Sequence, residues 1–279
     1  MPYNLLISAE ELHQILHQGS TVAIDCRYRL ESPRWGLTQY RLGHIPGAIF
    51  IDMDHELSGP PTAGQTGRHP LPHRSTFHLT ARQLGLSPKQ QLVVYDQGPG
   101  CFASRAWWMF RWLGFENVAV LDGGFANWQK SNPVTQEIRT LPLADWDLPP
   151  EPFLVASAQD IMNHLGKIDL LDARNLDRFE GKNETIDPVA GHIQTARSAP
   201  FEKNLNSEGL FKEPSQLRSH YLGILSGKAD EAICYCGSGV TATHNILAMK
   251  LAGLGEARLY PGSWSEWITD PKRPIETGS

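Results

Sequence analysis

Cys236 heads the segment Cys236-Gly237-Ser238-Gly239-Val240-Thr241-Ala242, directly after the apolar run Ala232-Ile233-Cys234-Tyr235. A short apolar run ahead of two glycines reads as a buried strand ending in a tight loop. Residues 241–252 then carry apolar side chains at helical spacing. Strand, glycine loop and helix in that order place Cys236 at the carboxyl end of a strand, where parallel α/β sheets bind ligands. Gly237 and Gly239 let the backbone curl, so that N–H groups through Val240 and Thr241 point inward as an anion nest. The helix start adds a partial positive charge. Such a cradle favours a thiolate and would equally hold the anion of a sulfur-loaded cysteine. An arbitrary cysteine is more often a small buried hydrophobe, and Cys234, deeper in the same strand, is read that way. A metal pair of Cys234 and Cys236 finds no second Cys or His pair at ligand spacing.

The elements that position this loop occur twice. Leu6-Ile7-Ser8-Ala9-Glu10-Glu11-Leu12 returns as Val155-Ala156-Ser157-Ala158-Gln159-Asp160-Ile161, each with a serine three positions before an acidic residue, a helix N-cap signature. Val22-Ala23-Ile24-Asp25-Cys26-Arg27 returns as Asp169-Leu170-Leu171-Asp172-Ala173-Arg174, and Gly43-His44-Ile45 as Gly191-His192-Ile193. Leu92-Val93-Val94-Tyr95-Asp96 returns as Ala232-Ile233-Cys234-Tyr235-Cys236, and Leu121-Asp122-Gly123-Gly124-Phe125 as Tyr260-Pro261-Gly262-Ser263-Trp264. A duplicated unit explains this spacing. In each copy short apolar runs alternate with helical patterns, which predicts two tandem α/β domains, each a parallel sheet flanked by helices. The boundaries read 1–136 for the first domain, 137–152 for a proline-rich linker and 153–279 for the second. Asp96 holds the cysteine position of the first copy; a carboxylate cannot carry sulfur, so that half is expected to be catalytically silent. Trp107, Trp108, Trp112, Trp128, Trp264 and Trp267 read as packing residues.

With 279 residues, 41% hydrophobic and 20% charged, the chain can bury a core in each half. A net charge of -5 offers no field for nucleic acid or an anionic membrane. No apolar run approaches the ~20 residues of a membrane span. The opening Met1-Pro2-Tyr3-Asn4 carries no secretory pattern, and four cysteines are too few for a disulfide scaffold, which points to a cytoplasmic protein.

The duplicated unit, the paired Gly-His-Ile and Asp-x-Arg motifs and the loop Cys236-Gly237-Ser238-Gly239-Val240-Thr241 resemble the tandem-domain sulfurtransferases of the rhodanese superfamily, across nearly the whole chain. The loop is similar to that of 3-mercaptopyruvate sulfurtransferases, whereas thiosulfate sulfurtransferases carry Arg and Lys where this chain has Gly237 and Ser238. The resemblance implies that Cys236 takes sulfur as a persulfide from mercaptopyruvate, or alternatively thiosulfate, and passes it to a thiol, thioredoxin or cyanide. It requires no cofactor or metal.

A neutral loop suits an enolate leaving group that needs a proton, which the Ser238 hydroxyl can relay. By resemblance, Asp54 and His69 of the first copy complete the relay, with His73 the competing histidine. Arg178 matches the family's substrate arginine, and a guanidinium fork suits a carboxylate. A second arginine is expected a few residues later, but Glu184-Thr185-Ile186-Asp187-Pro188-Val189 stands there; Arg197 and Arg105 are the candidates to replace it. Arg174, with its counterpart Arg27, reads as structural. Cysteine phosphatases share the strand–loop–helix cradle but need an arginine six positions after the cysteine, where this chain has Ala242. A non-enzymatic sulfur-binding or sensing module is the remaining alternative, and a cyanolysis assay separates it from an enzyme.

Overall fold

The computed structural model describes residues 2–16 and 20–278. The chain divides into two compact units. The first comprises Met1–Gly59, Leu71–Pro152 and Ser207–Leu210; the second comprises Pro60–Pro70, Phe153–Asn206 and Phe211–Ser279.

In the first unit the strands are β1 (Leu6–Ile7), β2 (Thr21–Asp25), β3 (Ile49–Phe50), β4 (Gln91–Tyr95) and β5 (Val118–Leu121). They form one sheet in the order β1-β5-β4-β2-β3, with every pairing parallel. The helices are α1 (Ala9–Ile15), α2 (Trp35–Leu42), α3 (Arg74–Gln83), α4 (Cys101–Leu113) and α5 (Gly124–Trp128). Buried Ile7, Leu12, Ala23, Val93, Tyr95, Phe125 and Trp128 form one core cluster. Residues 137–152 hold no helix or strand and run along α3, whose Arg82 and His78 bond the carbonyls of Ala144 and Trp146.

The second unit repeats the pattern with α6 (Ala158–His164), β6 (Leu170–Asp172), α7 (Leu176–Phe179), β7 (His192–Ile193), β8 (Arg197–Ser198) and α8 (Pro214–Leu222). It continues through β9 (Ile233–Tyr235), α9 (Ala242–Leu251), β10 (Arg258–Leu259), α10 (Ser263–Trp267) and β11 (Ile275–Glu276). Its parallel sheet runs β10-β9-β6-β8, and Val155 adds a single parallel bridge to Leu259, the place that β1 takes in the first unit. β7 pairs antiparallel with β11, a small addition that strands of two residues give no periodicity to announce.

The repeated motifs fold the same way twice. Ser8 and Ser157 each accept the N–H three residues on, while Glu11 and Asp160 accept the serine N–H in return, so both α1 and α6 start with a capping box. Arg27 grips Asp25 at 2.6 Å and donates to the Gly43 carbonyl at 2.7 Å; Arg174 does the same with Asp172 at 2.6 Å and Gly191 at 2.7 Å. These buried pairs tie the end of β2 or β6 to the Gly-His-Ile turn. His44 and His192 are turned inward, bonding the carbonyls of Tyr40 and Phe179 and stacking on those rings. All six tryptophans singled out in the sequence are buried.

Candidate active site

Cys236 directly follows β9 and is 2% exposed. Its N–H donates to Ser263 Oγ at 3.0 Å, and its carbonyl accepts the Trp264 N–H at 2.9 Å. Ser263 in turn donates to the Tyr260 carbonyl at 2.9 Å and sits at a φ of 55°. A non-glycine residue held in that region costs about 1–3 kcal/mol, and it persists because its surroundings fix it. The matching position of the first copy is Gly124, which has the same φ. Gly237 presents its carbonyl to the Ser265 N–H at 2.9 Å, so the first two residues of the loop are bolted to the start of α10. Gly239 has a φ of 77°, and a side chain there would meet the Pro261 carbonyl oxygen at 2.4 Å. Only glycine fits. Val240 accepts from the Thr243 hydroxyl at 2.7 Å, and Thr241 is the N-cap residue of α9.

Among the residues expected from sequence, the structure brings four to this loop of the second unit. His69, on the Pro60–Pro70 segment, places Nδ1 2.9 Å from Ser238 Oγ, with both residues buried. Arg178, on α7, turns its guanidinium toward the loop: a Cβ on Gly237 would lie 3.7 Å from Nη1 and Nη2. Cys236 completes the set. Asp54 belongs to the first unit, where its carboxylate accepts the Tyr28 hydroxyl at 2.9 Å. His73, also in the first unit, is the N-cap residue of α3. Arg105 donates to the Leu57 carbonyl at 3.1 Å within the first unit. Arg197, beside β6, is taken up by Ser226 Oγ at 2.6 Å and Asp169 at 3.2 Å.

Two residues at the site escaped the sequence reading. One is Ser263, whose signal was the serine standing where the first copy has Gly124. The other is Arg68, whose Nη2 lies 2.9 Å from where a Gly237 Cβ would be. Arg68 also donates its backbone N–H to Ser265 Oγ at 3.1 Å. Its signal was its place beside His69. Both guanidinia meet the buried Asp187, which pairs with Arg68 and accepts from Arg178 at 3.1 Å; Arg178 also grips Glu184 at 2.9 Å. Burial pushes the Asp187 carboxyl up, against the pull of Arg68. Burial also raises Glu184, but the N–H groups of Asp187 and Ile186 and the Arg178 guanidinium outweigh it and leave the carboxyl low.

The first unit fills the equivalent position differently. Asp96 is 1% exposed and accepts four backbone N–H groups, from Gly98 at 2.9 Å, Gly100 at 3.1 Å, Phe102 at 2.9 Å and Ala103 at 3.3 Å. Burial raises this carboxyl and the four donors oppose the shift. The loop after β4 is thus an anion nest already occupied by its own side chain. Burial pushes the Cys26 and Cys234 thiols up, as befits core residues.

The Rhodanese-like domain family matches residues 8–131 and 156–270. The chain belongs to the rhodanese family. Relatives span both rhodanese domains: the chain is 46% identical to the probable 3-mercaptopyruvate sulfurtransferase of Pseudomonas aeruginosa, over 98% of each chain. It is 36% identical to the putative thiosulfate sulfurtransferase SseB of Mycobacterium tuberculosis, over 99% of this chain and 98% of the relative. The solved 3-mercaptopyruvate sulfurtransferase of Leishmania major superimposes with a TM-score of 0.87 at 27% identity, covering 98% of this rhodanese and 76% of that protein. No helix among the described residues is long and apolar enough to cross a membrane.

Proposed function

We propose that this chain is a sulfurtransferase that takes the sulfane sulfur of 3-mercaptopyruvate onto Cys236 and passes it to a thiol, thioredoxin or cyanide. The observation that carries this reading is the bond between His69 and Ser238, two residues beyond Cys236 in a loop without a cation of its own. The Cys236 thiolate attacks the donor sulfur, and the carbon–sulfur bond breaks with its electrons going to the pyruvate enolate. Ser238 delivers a proton to the enolate carbon and recovers one from His69. The family resemblance assigns Asp54 the carboxylate that orients the imidazole. Arg178 holds the donor carboxylate, and the backbone of Gly237, Gly239, Val240 and Thr241 cradles the persulfide anion. An acceptor thiolate then takes the outer sulfur and restores Cys236. No metal or organic cofactor enters the scheme.

In this reading residues 1–136 form a silent domain, 137–152 a linker and 153–279 the catalytic domain. None of the four cysteines is in a disulfide, which supports a reducing, cytoplasmic setting. The thiosulfate alternative is favoured by the name of the mycobacterial relative. Steady-state kinetics with the two donors decides between them: a higher kcat/KM for mercaptopyruvate is expected, and equal or reversed preference overturns the donor assignment.

A further inference from the structure

The two copies of the fold differ at one corner of the sheet, at the amino ends of the strands and so opposite Cys236. In the first copy Val22 and Ile49 are buried apolar residues there. Their counterparts in the second are Asp169, just before β6, and Arg197, which opens β8. The rungs agree with this match, since Ile49 lies opposite Ile24 and Arg197 opposite Leu171. Asp169 and Arg197 meet at 3.2 Å. Asp169 Oδ2 also accepts the N–H groups of Ser226 and Gly227 at 2.8 and 2.9 Å, and Arg197 donates to the Ile224 carbonyl and to Ser226 Oγ at 2.6 Å. This pair is satisfied within itself and pins the loop 224–227. Beside it opens a cavity of about 280 Å³, walled by Gly166, Lys167, Gly227, Lys228 and Glu231 as well as the pair. The side chains of Lys167, Lys228 and Glu231 have no hydrogen-bond or ion-pair partner among the described residues. Glu231 Oε2 stands 3.8 Å from where a Gly227 Cβ would be, which puts the acid at the Gly227 wall.

We propose that this cavity binds the head group of a small free α-amino acid, with the carboxylate at Lys167 and Lys228 and the ammonium at Glu231. Two unpaired cations and one unpaired anion around one cavity are complementary to a ligand that carries both charges. A plain anion would satisfy the lysines but face the Glu231 carboxylate, and a plain amine would satisfy Glu231 but face the lysines. The volume is just below the ~300 Å³ at which drug-sized sites begin, so only a small side chain fits beside the head group. Asp169 and Arg197 position the site without binding: by pinning 224–227 they fix the approach of Lys228. The binding groups are exposed and screened, which sets the affinity near about 1 mM. The whole site belongs to the second unit, and β9 separates Glu231 from Cys236, so it is independent of the sulfur-transfer reading.

Titration of the full chain with each of the common L-amino acids, read by ligand-observed NMR and calorimetry, tests the site. At least one with a small side chain should bind with a Kd of about 1 mM. Propionate and ethylamine, which each carry one of the two charges, should bind at least about tenfold more weakly. Lys228→Met should weaken the amino acid by about 2- to 5-fold, the value of one exposed ion pair. Glu231→Lys should weaken it by at least about tenfold and create binding of inorganic phosphate in its place. Both substitutions are at exposed positions, and unchanged melting curves would show that the fold survives them. No binding of any amino acid at about 10 mM overturns the proposal. So does propionate binding as tightly as the amino acid, phosphate binding more tightly than it to the unmutated protein, or a Kd that neither variant moves.

Discussion

His69 Nδ1 lies 2.9 Å from Ser238 Oγ although 169 positions separate the two residues in the chain. A proton relay built on this bond acts as one unit. His69→Ala and Ser238→Ala should each lower kcat with mercaptopyruvate, within the ~10²–10⁴-fold that general acid help supplies. The double variant should lose less than the product of the single effects. Fully multiplicative losses, or normal turnover without His69, would remove the relay.

Cys236 is the sole proposed sulfur carrier. Cys236→Ser should abolish transfer of labelled sulfur to cyanide while leaving the circular dichroism of the fold unchanged. Cys101→Ala should retain most of the activity. Comparable inactivity of the two variants would rule out a single-nucleophile scheme.

Ser263 combines a strained backbone with a hydroxyl that accepts the Cys236 N–H. Ser263→Ala keeps the strain and strands that buried donor, so stability should fall by about 1–3 kcal/mol in urea unfolding. Ser263→Gly strands the same donor but relieves the backbone, and should therefore lose less than Ser263→Ala. The reverse ranking would show that the φ of 55° stores no strain.

Asp96 accepts four N–H groups inside the first unit. Asp96→Ala leaves donors that water cannot easily reach, each worth about 1–3 kcal/mol. An overall loss above about 3 kcal/mol is expected from equilibrium unfolding. A change under about 1 kcal/mol would mean that the loop re-pairs its donors.

The two capping boxes predict acid sensitivity. Hydrogen bonds from the Ser8 N–H and hydroxyl hold Glu11 low, and the Ser157 hydroxyl and N–H do the same for Asp160. A carboxyl lowered by folding stabilises the fold above its unfolded pKa of about 4 and loses that contribution as pH falls through the lower folded value. The stability difference between the parent and the combined Ser8→Ala and Ser157→Ala variant should therefore shrink below about pH 4. A profile parallel to the parent's would place the acid sensitivity elsewhere.

The features legible in the sequence are those whose parts lie close together in it. Ser8 with Glu11, Asp172 with Arg174 and Cys236 with its loop are each set by spacings of two or three residues, and duplication wrote the first two patterns twice. Arg68 was illegible as a site residue because its partner Asp187 is 119 positions away, and no local period links them. Near 184–189, where a second cation is expected, the chain has two carboxylates; the structure puts Arg68, from Pro60–Pro70, against one of them, Asp187. The β7–β11 pair was missed for a similar reason, since two-residue strands 82 positions apart carry no alternation to read.

Asp96 also shows what irreversible oxidation would look like at the matching cysteine. Peroxide takes a thiolate through sulfenic to sulfinic acid, and a sulfinate is two oxygens sharing one negative charge on a one-carbon stem. That is nearly the shape and charge of an aspartate. The first unit demonstrates that a loop of this kind welcomes such a group, wrapping it in four N–H donors with 1% of its surface exposed. If the proposed nest after Cys236 offers similar donors, overoxidised Cys236 would be held there as a hydrogen-bonded anion, with little drive to unfold the domain around it. Oxidative damage at this cysteine should therefore yield an inactive protein whose melting curve matches that of the intact one and which is told apart by its added mass.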